Sequence, residues 1–345
     1  MKKLAVLGLL AAMAPAFGPA QTMVKNWEEV CGVTSSSDDV RNMAVSASTN
    51  TLVTVNRLAT GSNDLLLFNT ADGTPATPAA LDQTGIPTGT YSLVNVAVSD
   101  DGAIFACNLA HADPMLLTVY YWADASAAPV AIYTAPAWLG YRMGDAMDVR
   151  GSVSDNSVKV IVSGNNAASQ PLVLTTADNG ANWTPATLAN TVQAQDIHLN
   201  ADGTFYKTFY SSSTVPTLMN ADGSATATTV PYVTTSTPAP AAYGAFAAND
   251  AQDTFFGVGI RNEAAIFVSD AAGNLIAQSP SDDLIDVDGT GAGNFTGLAN
   301  GSCAIEIIPV AEDYEIYALS ERNGVAKYTL DNPSASVTDW QLMGR

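Results

Sequence analysis

The feature that most constrains this chain is a repeat of about fifty residues, marked by paired turns. Six times an apolar run meets an Asp-centred tip and continues into another extended run. The copies are LLLFNTADGTP around Asp72, LTVYYWADASA around Asp124 and LVLTTADNGANW around Asp178. PTLMNADGSAT around Asp222, AIFVSDAAGN around Asp270 and VAKYTLDNPSA around Asp331 complete the set. A second turn precedes each one, at Ser48-Thr49-Asn50, Asp100-Asp101-Gly102, Asp155-Asn156, Ala201-Asp202-Gly203, Asn249-Asp250 and Glu312-Asp313. Asp and Asn accept hydrogen bonds from nearby backbone amides and Gly supplies positive φ, so these tips close hairpins.

Two strands and a more variable loop fit between the paired turns. Each unit therefore reads as strand A, hairpin, strand B, loop, strand C, Asp hairpin, strand D. In the second unit the strands are expected at Val94–Ser99, Ala103–Asn108, Leu116–Trp122 and Pro129–Thr134. Short runs of Val, Ile, Thr, Tyr and Phe broken by Gly, Asp, Asn and Pro predict an all-β fold. Four strands per unit predict a β-propeller, because a lone four-stranded sheet cannot bury both faces and radial packing can. Six units spanning roughly Arg41 to Met343 give six four-stranded blades. Seven is the alternative, if residues 22–40 pair into a blade of their own. A two-sheet sandwich is the competing architecture, although it does not demand this recurrence.

Lys2 and Lys3 precede an apolar run from Leu4 to Met13. It is too short for a bilayer core of ~30 Å. Gly18-Pro19-Ala20 then offers a cleavage site before Gln21. Residues 1–20 read as a Sec-type bacterial signal peptide, and residues 21–345 as a single propeller domain. The expected destination is secretion, the cell surface or the periplasm, with no membrane insertion. The chain has 33 acidic and 13 basic residues, for a net charge of −20. Nucleic-acid binding needs a basic surface, so that class is set aside. Charged residues make up 13% and apolar ones 47%, which excludes a disordered polar tail.

Two stretches resemble known patterns. Thr176-Ala177-Asp178-Asn179-Gly180-Ala181-Asn182-Trp183 resembles the Asp-box, or BNR repeat, at all four defining positions: Thr176, Asp178, Gly180 and Trp183. The resemblance implies a hairpin cap on a propeller blade, in which Asp bonds turn amides, Gly permits the bend and Trp packs into the blade. It occurs in sialidases and in non-enzymatic receptors, so it implies no single function. The other five units lack the Trp. The stretch EIYALSERNGVAKY, residues 315–328, is similar to the last blade of a family of secreted bacterial propellers classed as a domain of unknown function. That resemblance implies the fold and secretion and transfers no catalytic residue.

A ring must join its ends. Asn26-Trp27-Glu28-Glu29-Val30-Cys31 resembles Asp339-Trp340-Gln341-Leu342-Met343 in aromatic and apolar spacing, so both termini are expected as outer strands at the closure. A Cys31–Cys303 disulfide is the candidate clamp in an oxidising compartment. Three cysteines allow three pairings, and Cys107 in FACNL reads as a buried free thiol.

Catalytic motifs are scarce. His111 and His198 have no spaced partner, so no zinc or haem set is expected, and no cofactor. Asp286-Val287-Asp288-Gly289-Thr290-Gly291 resembles a calcium loop, but Leu284 and Phe295 occupy its first and last ligand positions. Its alternative reading is an acidic linker. There is no G-x-S-x-G elbow, P-loop or dinucleotide fingerprint.

Arginine is rare enough for its placement to be informative. Arg57, Arg261 and Arg322 fall at the ends of B strands in units one, five and six, which are neighbours in a closed ring. His111 lies on the B–C loop of unit two, and Trp138, Tyr141 and Arg142 follow on its D–A loop. B–C and D–A loops share one propeller face. These seven residues are therefore the candidate ligand set, with a modest basic centre suited to an anionic sugar or a peptide carboxylate. Surface pairing of the arginines with Asp64, Glu263 and Glu321 is the competing reading. At the level of function, a secreted, non-enzymatic binding or surface/matrix protein leads. A sialidase-like or lyase-like carbohydrate-active enzyme and a subunit polymerising through its terminal strands are the alternatives.

Overall fold

The apolar runs between turns fit an extended, half-buried backbone. The computed structural model describes residues 21–33, 39–57, 63–209, 215–230, 243–248, 256–260, 266–270, 274–280, 304–311, 313–320 and 323–331. All the regular elements among them are strands. Two come first, β1 (Gln21–Thr22) and β2 (Val24–Glu29). A first sheet follows: β3 (Asp39–Ser46), β4 (Thr51–Arg57), β5 (Asn63–Asn69) and β6 (Pro75–Ala80). The second sheet is β7 (Asn95–Val98), β8 (Ile104–Cys107), β9 (Thr118–Trp122) and β10 (Val130–Thr134). The third is β11 (Ala146–Arg150), β12 (Lys159–Ser163), β13 (Leu172–Thr175) and β14 (Thr184–Thr187). The fourth is β15 (Asp196–Leu199), β16 (Phe205–Thr208), β17 (Thr217–Met219) and β18 (Ala225–Thr229). The fifth is built on β19 (Tyr243–Ala248), β20 (Phe256–Ile260), β21 (Ile266–Ser269) and β22 (Leu275–Gln278). The sixth is built on β23 (Ile305–Val310), β24 (Asp313–Ser320) and β25 (Gly324–Leu330). Within each sheet successive strands pair antiparallel in chain order.

The innermost strands touch in cyclic order: β3 with β7, β7 with β11, β11 with β15, β15 with β19, β19 with β23, and β23 with β3. The fold is thus an all-β propeller rather than a face-to-face sandwich. The four strands expected in the second unit appear as β7–β10, inside the anticipated spans. Residues 21–29 build no sheet of their own, whereas the seven-blade alternative requires one of residues 22–40. Instead β1 pairs parallel with β22 on the outer edge of the fifth sheet, and β2 pairs antiparallel with β25 on the outer edge of the sixth.

The core is a set of interfaces between adjacent sheets. Side chains alternate along a strand, so each middle strand serves two of them. In β8, Ile104 and Ala106 pack with Val53, Val55 and Leu65 of the first sheet. Phe105 and Cys107 pack with Met147, Val160 and Val162 of the third. In β12, Ile161 turns the other way, towards Ile197 and Phe205 of the fourth. In β24, Ile316 and Ala318 face the fifth sheet, whereas Tyr317 and Leu319 face the first. Burial on both faces explains why these strands read as unbroken apolar runs. The outer strands β6 and β14 are largely exposed and rich in Pro, Ala and Thr, and proline suits such edges.

The N-terminal segment closes the ring. Met23 is buried between the fifth and sixth sheets, and Cys31 and Val33 between the sixth and first. Trp27 packs on Tyr317 with ring centroids 6.0 Å apart. Its Nε1 donates to Thr70 O at 3.0 Å, in the outer hairpin of the first sheet. Lys327 Nζ, over the Tyr317 ring, donates to the same carbonyl at 3.0 Å and pairs with Glu315 at 2.6 Å. Tyr317 Oη donates to Glu315 at 2.7 Å. Burial, helped by the Glu315 charge, pushes the Tyr317 phenol well above its ordinary pKa. Gly73, with φ +74°, leaves room for the Trp27 ring: a Cβ there would lie 2.8 Å from Cε3. The N-terminal outer strand is therefore in place. The sixth Asp tip, at Asp331, predicts a strand D after it, but β2 fills that position. Residues 339–343 lie outside the described residues.

The expected Cys31–Cys303 clamp is not formed at Cys31, which carries a free, buried thiol. Its Sγ–H donates to Glu29 O at 3.3 Å, and Asn56 Nδ2 donates to its carbonyl. Burial, then the Glu29 charge, raises the Cys31 thiol pKa far above the usual range. Cys303 lies outside the described residues. Cys107 is a buried free thiol, as read from FACNL.

The turns carry a shared chemistry that the Asp tips only partly announced. In Asp72-Gly73-Thr74, Thr74 donates to Asp72 Oδ1 from its amide at 3.0 Å and its hydroxyl at 2.7 Å. Asp82, Asp124, Asp202 and Asp222 repeat both bonds with a Thr or Ser two residues on. At the hairpin of the third sheet, Asp178 instead accepts from Asn182 N at 2.8 Å and Thr176 Oγ1 at 2.9 Å, while Gly180 takes φ +83°. Trp183 packs on Phe105 and Tyr121 of the second sheet, so it reaches across to the neighbouring sheet rather than only into its own.

Trp27→Ala removes the ring between Tyr317 and Gly73 and the bond to Thr70. We expect a loss of ~2–4 kcal/mol by urea denaturation, while Val24→Thr, at a 64% exposed site beside it, leaves stability unchanged. The turn hydrogen bonds lower the pKa of Asp72, Asp124 and Asp222, first through the side-chain bond and then through the amide. A carboxylate held below its unfolded value contributes fully at neutral pH, and its contribution disappears as pH falls through the folded value. Denaturation midpoints are therefore expected to drop below about pH 4. The Asp72→Asn/Asp124→Asn/Asp222→Asn variant should show a shallower drop; equal steepness would count against this origin.

Candidate functional site

One mouth of the ring is formed by B–C and D–A loops, and a cleft of about 170 Å³ opens there. It begins where inner strands start and second strands end. Arg57 closes β4, Asn95 opens β7, and Asp196 opens β15. His111 comes from the loop after β8, and Arg142 and Asp145 from the segment leading into β11. Arg41 and Tyr91 complete the charged and aromatic lining. The cleft leads towards a central channel of about 300 Å³ between the inner strands, lined in part by Asp148, His198 and Glu306.

A local backbone device brings His111 and Arg142 to the same place. Ala110 and Met143 exchange both backbone hydrogen bonds at 2.9 Å, joining the two loops. Gly144 permits their close approach: with φ +98°, a Cβ there would lie 2.1 Å from Asn108 O. Ser169 Oγ donates to Arg142 O at 2.8 Å. Asn95 Nδ2 donates to Asp145 O at 2.9 Å and Gly144 O at 3.3 Å.

The side chains are equally well fixed. Arg142 Nε donates to both Asp145 oxygens at 2.7 Å, and Nη2 also donates to Oδ1. Asp145 is 3% exposed against 37% for Arg142, and Asn165 N donates to Asp145 Oδ2 at 2.8 Å. Desolvation works against the Arg142 charge, but the hydrogen bonds and charge of Asp145 prevail and raise its pKa. Tyr91 and His111 meet edge to face, with ring centroids 4.5 Å apart. Three arginines face Asp145 and Asp196, which gives the lining a net positive balance in a chain of charge −20.

Of the expected ligand set, Arg57, His111 and Arg142 come together here. Trp138 and Tyr141 instead pack against the core between the second and third sheets. Arg261 and Arg322 lie outside the described residues, as do Asp286 and Asp288. Among the described residues no group of three or more His, Cys, Asp or Glu side chains is placed to hold a metal ion. No helix among them is long and apolar enough to cross a membrane. Arg41, Tyr91, Asn95 and Asp145 were missed from sequence. A signal for two of them existed: Asn42, Asn95, Asp145 and Asp196 recur near the mouth end of successive inner strands.

No protein-family model and no curated protein matches the sequence. Among solved structures, the chain is similar to a DUF4623 family protein from Bacteroides eggerthii, with TM-score 0.56 and 13% identity over 91% of this chain and 77% of that one. Raptor from Chaetomium thermophilum matches with TM-score 0.47 and 10% identity over 90% of this chain and 30% of that chain. At 13% identity the first likeness speaks for the fold alone, a β-propeller shared with a protein from a family of unknown function.

Proposed function

We propose that this chain is a secreted bacterial propeller of six blades that acts in extracellular binding or as a surface or matrix component. Its ligand would be anionic, a sugar acid or a peptide carboxylate, held at the loop-lined mouth. The observation that carries this reading is the convergence of Arg57, His111 and Arg142, far apart in the chain, on one cleft. Guanidinium groups suit carboxylates because their paired N–H donors match two oxygens. The six sheets in cyclic contact support the blade count. Secretion rests on the signal-like residues 1–20 and the expected cleavage site before Gln21. The hydrogen bonds around Thr176, Asp178 and Gly180 support an Asp-box at that hairpin.

A carbohydrate-active enzyme would also gather Arg, Tyr and acidic groups here. Binding is favoured because Asp145 is buried and already engaged by Arg142 and the Asn165 amide. An available acid or base needs a proton-transfer partner within reach. The polymer reading expects a terminal strand that leaves its own blade; β1 and β2 take up the outer edges of the fifth and sixth sheets of this chain.

Titration calorimetry against acidic oligosaccharides, neutral oligosaccharides and peptides with free carboxylates tests the reading. Acidic ligands are expected to bind more weakly as salt rises, and Arg57→Ala to weaken them about tenfold or more. Chromatography of the incubated ligands should show no cleavage; accumulating product would establish the enzyme instead.

A further inference from the structure

The cleft combines features that narrow its ligand further. Asp145 occupies the Nε and Nη2 side of the Arg142 guanidinium. The fork of an arginine has five donors, so its outer Nη1 edge remains for a second carboxylate. That edge is already oriented: Asp145 is buried and fixed by Asn165, and Ser169 holds the Arg142 backbone. A group set in place before binding loses little freedom when it binds.

Beside it stands Tyr91, 37% exposed and packed edge to face with His111. Tyr91 and Arg142 line the same cleft. The remaining wall is rich in carboxamides, from Asn42, Asn95 and Gln195. Such groups both donate and accept, which suits hydroxyls. Asn95 is buried and gives its amide hydrogens to two carbonyls, and its Oδ1 has no hydrogen-bond partner. A buried acceptor of this kind calls for a donor. The volume, about 170 Å³, lies below the ~300 Å³ at which drug-sized pockets begin.

We infer that the cleft receives one acidic sugar unit, with its carboxylate on the outer edge of Arg142, its ring against Tyr91 and its hydroxyls on the carboxamide wall. A pyranose uronate offers all three: a charged fork, a C–H face and several hydroxyl donors. A peptide terminus offers the carboxylate but leaves the carboxamide wall without hydroxyls. This inference rests on the anion-binding reading above and names its ligand class.

The test is titration calorimetry on residues 21–345 with trigalacturonate, a hyaluronan tetrasaccharide, galactotriose and Ala-Ala-Ala with a free carboxylate. At least one uronate should bind, with galactotriose and the tripeptide about tenfold weaker or more. Tyr91→Ala should weaken the uronate about tenfold while leaving the denaturation midpoint in place, since Tyr91 is exposed. Arg142→Lys keeps the charge and loses the fork, and should weaken the uronate similarly. If the tripeptide binds and neither uronate does, anion binding stands and the sugar assignment falls. Unchanged uronate affinity in Tyr91→Ala overturns the proposed stacking and with it the inference. If no carboxylate probe binds, the inference and the anion-binding reading fall together.

Discussion

The structure depends on strands that are apolar on both sides. Within β8, β12 and β24, successive side chains enter opposite interfaces, so no sheet buries its middle strands without two neighbours. A stack of such sheets always leaves two unpartnered ends. Closing the stack into a ring removes both, and the right-handed twist of each sheet sets the neighbours at the angle that closure needs. The outer strands β6 and β14 contribute little to these interfaces, which is why they can be exposed and proline-bearing.

Closure concentrates long-range contacts in one place. Thr70 O accepts from Trp27 and Lys327, which are far apart in the chain, and so joins the first sheet to the sixth. The buried ammonium is tolerated because Glu315 and that carbonyl supply it with acceptors. The cleft on the loop-bearing mouth shows a comparable economy. Asp145 is buried yet satisfied, and it holds Arg142 in a fixed pose at the edge of the solvent.

Much of this architecture was legible in the amino-acid sequence because it is local. Hairpins around Asp72, Asp124, Asp178 and Asp222 follow from turn chemistry that acts within a few residues. Strand D of the sixth sheet was not legible from Asp331, since its position is filled by Val24–Glu29, a pairing that no local signal encodes. Cys31 invited a bridge by its place near the closure, but its thiol points into the interface between the sixth and first sheets. At the cleft, the scarcity of arginine points to Arg57, and a place on the D–A loop points to Arg142. Trp138 and Tyr141 misled because an aromatic on a loop can equally cover a core. Tyr91 and Asp145 gain their meaning only from the Ala110–Met143 bridge, which joins two loops distant in the chain.

The N-terminal segment crosses three sheets, touching the fifth through β1, the sixth through β2 and the first through Cys31 and Val33. These residues leave the ribosome before any of the sheets they fasten, and β25, the partner of β2, is the last of the described strands to follow. The ring therefore stays unlatched until β25 has emerged, with β2 waiting for it. Any helper that shields a nascent chain of this kind has its longest task on that waiting N-terminal segment.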